Sequence, residues 1–218
     1  MCHGKMCCRK MCHGKLCHSN SVTSRPQDTH VRFFVGGYTE PSPTPQPQGV
    51  STCLLDPASG AMRVQHTQSG VINPSYLARR DGYLLAVKEV ASAENPAVLE
   101  LEIGAAGTLT LSGSSDVPGD APCHLACDPG GRFFVVACYS SGNVVLYTPL
   151  PGGALSERQI VQHHDTDALP PRPARDPHAH QAVFGPDGNT LFVTDLGLDE
   201  IRSYRLGAGH FCRKRLRS

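Results

Sequence analysis

The sequence predicts an all-β fold, a β-propeller, and three observations carry that prediction. The stretch from Pro122 to Ala137 (PCHLACDPGGRFFVVA) is answered by His180 to Asp195 (HQAVFGPDGNTLFVTD), and a fainter copy runs from Pro74 to Val87. The turn glycines of these copies, Gly82, Gly131 and Gly188, lie 49 and 57 residues apart, the period of propeller blades or solenoid repeats. Composition agrees: 22 glycines, 18 prolines and 18% charged residues favour many turns and short strands. Helical heptads are absent, and a β-sandwich leaves the repetition unexplained.

Taken in order, Met1 to Asn20 reads as four pentads, MCHGK, MCCRK, MCHGK and LCHSN. Their thiols (Cys2, Cys7, Cys8, Cys12, Cys17) and imidazoles (His3, His13, His18) are soft ligands for zinc or copper(I). The spacing is not that of a preset tetrahedral site, so the favoured reading is a disordered tail with a polar linker, residues 1–30. The first unit, 31–73, opens with a strand at Val31–Thr39 broken by glycine and a second at Gly49–Asp56. Between them, Pro41 to Pro47 carries four prolines at alternate positions, an extended surface loop. Units at 74–120 and 121–176 follow one course: short strand, polar Gly turn, apolar Val/Phe run, second turn, strand. In the third unit these pieces are His124–Cys127, Asp128–Gly131, Phe133–Cys138, Ser140–Gly142 and Asn143–Tyr147.

A fourth unit begins at Pro177 with no evident room to finish. Residues 31–206 therefore count as about three and a half blades, and 207–218 as an off-pattern basic tail. An open ring leaves two unpaired edges, so truncation and self-association are expected. The net charge of +1 and the lack of an aromatic-basic stripe speak against nucleic acid. No run approaches the roughly 20 apolar residues of a membrane span, and no leader-like apolar region follows Met1, so a cytoplasmic location is expected.

Chemistry is expected on the strand that lines the central channel. If Pro177–Val183 is that strand, period-two alternation points His178 and His180 the same way. His124 is read as the related position one blade earlier. Imidazoles converging in a channel suit general-base or substrate-binding work. The His-x-His pair has no acidic or cysteine ligand beside it, so no metal is expected. Arg172 and Arg175, in a Pro-rich loop before the pair, suit a carboxylate or phosphate. Glu89, at the end of the strand Leu84–Lys88, is a candidate carboxylate. The absence of GxGxxG, P-loop and GxSxG motifs in a strand–helix setting leaves no expected cofactor.

FVGGYT at 34–39, NPSYLA at 73–78, LAVKE at 85–89, YSSGNV at 139–144 and PHAH at 177–180 follow one another in the order seen in the lactonase family. That family holds the propeller-type 6-phosphogluconolactonases and resembles the fungal carboxymuconate cyclases. The similarity runs from about Val31 to Arg205, with Lys88 standing where asparagine is expected. The resemblance implies a seven-bladed propeller of roughly twice this domain's length. It implies metal-independent hydrolysis of 6-phospho-glucono-1,5-lactone in the oxidative pentose phosphate route. Carried over by position, His124 and His180 would face the site and Arg172 would bind the anion. Later blades of the family contribute a further glutamate and arginine. The competing expectations are a non-catalytic propeller scaffold and a non-functional fragment.

Overall fold

The computed structural model describes residues 30–39, 48–80, 82–150, 154–164, 175–207 and 209–214. Its strands form four antiparallel meanders in chain order. The first contains β1 (Val31–Val35), β2 (Gly49–Leu55) and β3 (Met62–Ser69). The second contains β4 (Leu77–Arg80), β5 (Tyr83–Lys88), β6 (Ala97–Ile103) and β7 (Leu109–Asp116). The third contains β8 (Pro122–Cys127), β9 (Phe134–Cys138), β10 (Asn143–Pro149) and β11 (Leu155–Gln162). The fourth contains β12 (Ala179–Phe184), β13 (Thr190–Asp195), β14 (Glu200–Gly207) and β15 (His210–Lys214).

The repeated turns start each unit for a local reason. Asp128 Oδ1 accepts the Phe133 N–H at 2.8 Å, and its Oδ2 accepts Arg132 Nε at 2.9 Å. Gly131 (φ 66°) and Gly188 (φ 63°) take the left-handed conformation that closes these turns. Arg132 also donates to the Gly188 carbonyl at 3.1 Å, which clasps the turn of the third sheet to that of the fourth.

Middle strands read as unbroken apolar runs because both their faces are buried. Along β9, Phe134, Val136 and Cys138 pack against Leu85 and Val87 of the second sheet. The alternate residues, Val135 and Ala137, pack against Leu191 and Val193 of the fourth. Leu84 and Ala86 likewise turn the other way, onto Val50 of the first sheet. The sheets therefore stack face to face around an axis, with β4 against β8 and β8 against β12 on the inner side. On the outer side β3 meets β7 and β11 meets β15. This is a sector of a propeller.

Two expectations change. The fourth unit is complete, and the tail expected to be off-pattern from 207 supplies its outermost strand, β15, paired along β14. Phe211 is its buried apolar side chain among those described, so the charge-rich segment carries little hydrophobic signal. Instead of three and a half blades, the described residues form three four-stranded sheets and one of three strands. The three-stranded sheet is the first: β1 pairs with β2 as β5 does with β6, so the strand it lacks among the described residues is the inner one. The Cys/His tract and its linker lie outside the described residues.

Candidate active site

The inner strands β8 and β12 each open with a bulge at one repeat position. Pro122 stands opposite Cys138 and His124 opposite Ala137, leaving Cys123 unpaired. Ala179 stands opposite Asp195 and Gln181 opposite Thr194, leaving His180 unpaired. The repeat partner of His180 is thus Cys123, and His124 corresponds to Gln181, which corrects the sequence reading. The bulge also breaks the assumed alternation, and β12 begins at Ala179 rather than Pro177.

His178 and His180 nevertheless converge, on Tyr139. The His178 ring stacks on it at 4.5 Å, and the His180 ring stands nearly perpendicular to it at 5.3 Å. His178 is held firmly, its Nδ1–H donating to the Tyr139 carbonyl at 2.9 Å and its backbone N–H to Asp195 Oδ1 at 2.8 Å. Two glycines make room for this segment. A Cβ at Gly142 would collide with the Pro177 carbonyl oxygen, and one at Gly197 with that of Asp176.

His124 is only 7% exposed. Its ring lies 4.0 Å from that of Tyr76, and its Nδ1 accepts the Ala182 N–H at 3.4 Å. A backbone amide can only donate, so the proton of this imidazole resides on Nε2. Burial, and then the charge of His180, pull its pKa down to about 4, so it is neutral at physiological pH. Tyr76, His124, Gln181 and Phe184 line a cleft of about 300 Å³. The exposed His180 lines a second depression, of about 460 Å³, with Thr194, Asp195, Leu196 and Ile201. The two openings share β12 as a wall.

Glu89 joins the same inner rim. Its Oε1 accepts the Tyr38 hydroxyl at 2.9 Å. Burial pushes the Cys123 thiol up to about 12, and the Glu89 charge adds to the effect, so this sulfur is a thiol, not a thiolate. Lys88, Cys138 and Asp195 each pair with the first residue of the next strand, so Glu89, Tyr139 and Leu196, one residue on, share a repeat position. That shared position was the signal by which Tyr139 could have been found from sequence. Arg175 is exposed and makes a long ion pair, 3.9 Å, with Asp199 at the edge of the second depression. Arg172 lies outside the described residues. Among the described residues no cluster of three His, Cys, Asp or Glu is placed to hold a metal, and no helix is long and apolar enough to cross a membrane.

Comparison with known proteins gives a consistent result. The family described as "Lactonase, 7-bladed beta-propeller" matches residues 32–215. The 6-phosphogluconolactonase of Bacillus subtilis (strain 168) is 26% identical over 178 residues, covering 81% of this chain and 49% of its own length. The structure of the periplasmic gluconolactonase of Pseudomonas aeruginosa superposes with a TM-score of 0.65 at 28% identity, covering 81% of this chain and 50% of that one. That of a protein from Lactobacillus plantarum gives 0.70 at 25% identity, over 85% of this chain and 52% of that one. The chain spans about half the length of each.

Proposed function

This chain belongs to the lactonase family of seven-bladed β-propellers, and from that premise we propose that it serves the hydrolysis of a sugar lactone, 6-phospho-glucono-1,5-lactone to 6-phosphogluconate. The names of the Bacillus and Pseudomonas relatives support the substrate class. The observation that carries the reading is an electrostatically linked pair of unlike imidazoles, a buried neutral one at His124 and an exposed one at His180.

The roles follow from the protons. His180, open to solvent, accepts a proton from the water that attacks the lactone carbonyl. His124 carries its proton on Nε2 and donates a hydrogen bond to the oxyanion as the tetrahedral intermediate forms. Collapse of that intermediate breaks the ring C–O bond, and the proton held on His180 passes to the ring oxygen. Acid–base help of this kind is worth about 10²–10⁴-fold, and an oxyanion donor about 10²–10³-fold. Arg172 is the third catalytic group of the proposal, orienting the phosphate or polarising the lactone carbonyl, and Arg175, His178 and Glu89 make up its substrate-binding set. A cytoplasmic setting belongs to the same proposal: the thiols of Cys53, Cys123, Cys127 and Cys138 are free, which suits a reducing compartment.

The test compares lactone hydrolysis by the purified chain with the spontaneous rate. Turnover is expected, and both His180→Ala and His124→Ala lower it about 10²-fold. No rate above background, or two variants as fast as wild type, overturns the assignment. Binding of 6-phosphogluconate without turnover would replace the enzyme by a non-catalytic scaffold.

A further inference from the structure

We infer that Asp195 is the positioning residue of this site: through one carboxylate and the buried imidazole of His163 it fixes the segment from which His178 and His180 project. Its functional consequence rests on the lactonase reading, whereas its structural content does not.

The network is buried. Asp195 is 1% exposed, His163 0% and Tyr204 2%. Asp195 Oδ1 accepts the His178 N–H at 2.8 Å and the Leu198 N–H at 3.0 Å. Its Oδ2 accepts His163 Nδ1–H at 2.6 Å. On the far side of that ring, Nε2 accepts the Tyr204 hydroxyl at 2.9 Å. Burial pushes the Tyr204 phenol up to about 12, so it keeps the proton it donates. Burial alone would raise Asp195, yet the hydrogen bonds from His163, His178 and Leu198 hold its carboxyl below the usual range.

Position makes the network more than a structural pair. Asp195 stands opposite Ala179, the residue between the two histidines. The same repeat position holds Lys88 in the second sheet and Cys138 in the third. A carboxylate that blade geometry demanded would recur there; it occurs in the sheet that bears the His-x-His pair. The cluster also secures the other end of the intervening chain. His163 N–H bonds to the Gly142 carbonyl at 3.0 Å, and the buried Arg202 donates to the His164 carbonyl at 2.6 Å. The described segments on either side of 165–174 are thus tied to one network, through His163 and His164 before it and His178 after it.

The test uses the full chain and the imidazole ring resonances of its histidines in NMR spectra. Asp195→Asn keeps an acceptor for the two backbone N–H groups but sets an amide donor against His163 Nδ1–H. His163→Phe removes the donor, and His163→Asn restores one, because its amide nitrogen can stand where Nδ1 stands. Asp195→Asn and His163→Phe are expected to shift the His178 and His180 resonances while leaving His66 in place, and His163→Asn to return them toward wild type. In the lactone assay the first two variants lose about 10²-fold in kcat with KM nearly unchanged, the signature of misplaced catalytic groups. A folded Asp195→Asn protein with wild-type His178 and His180 resonances overturns the inference. So does a His163→Asn protein no closer to wild type than His163→Phe, and this pair decides the matter if Asp195→Asn does not fold. If the wild-type chain turns over no lactone while the resonances behave as expected, the lactonase reading fails and the positioning role stands.

Discussion

His124 links protonation to folding. The folded state lowers its pKa from the ordinary imidazole value to about 4, so between these limits the unfolded chain binds the additional proton. Its contribution to stability is therefore complete above about pH 6.5 and is lost as pH falls through 4. His124→Gln is expected to flatten the fall of the thermal midpoint between these pH values, read by circular dichroism; an unchanged slope would refute it. Gly197 makes a second residue-scale prediction. A methyl there drives into the Asp176 carbonyl and crowds the His178 ring, so Gly197→Ala should cost about 1–3 kcal/mol of unfolding free energy. Among the functional candidates, the repeat was enough to put His124 and His180 near the heads of inner strands but not to align them, since His180 answers Cys123. The tautomer and burial of His124 were not legible, because they depend on Ala182 and Tyr76, which lie 58 and 48 residues away in sequence. Asp195 was hidden for the same reason: it closes an apolar run like any strand-ending polar residue, and only His163 reveals its role.

Strands were legible in proportion to how many of their faces are buried. β5, β9 and β10, covered on both sides, announce themselves as Val- and Leu-rich runs. Outer strands such as β3 are largely exposed and read as polar connections. β15 is the extreme case, a segment of His, Cys, Arg and Lys anchored by Phe211. That ring lies 6.0 Å from Tyr204 and 6.4 Å from Phe184, and its backbone exchanges two hydrogen bonds with the Gln159 side chain. Phe211→Ala should therefore destabilise the chain by about 3–5 kcal/mol, measured by urea unfolding. A loss within experimental error would show β15 to be dispensable for the fourth sheet.

At the scale of the molecule, the period of the repeat was enough to predict radially stacked sheets, because each blade buries its faces against its neighbours. The fourth sheet shows what that stacking leaves uncovered. The side facing the third sheet is closed by Leu191, Val193 and Tyr204, while Val183, Phe192, Leu196 and Ile201 are 48%, 38%, 62% and 66% exposed. The bulges of β8 and β12 carry a different implication. The residue at each apex takes no part in cross-strand pairing, so its identity can be exchanged, cysteine in one blade and histidine in the next, at little cost to the ladder. The architecture thereby separates heritable scaffold from variable reagent, and a family of such propellers could acquire new specificities one apex at a time without relearning how to fold.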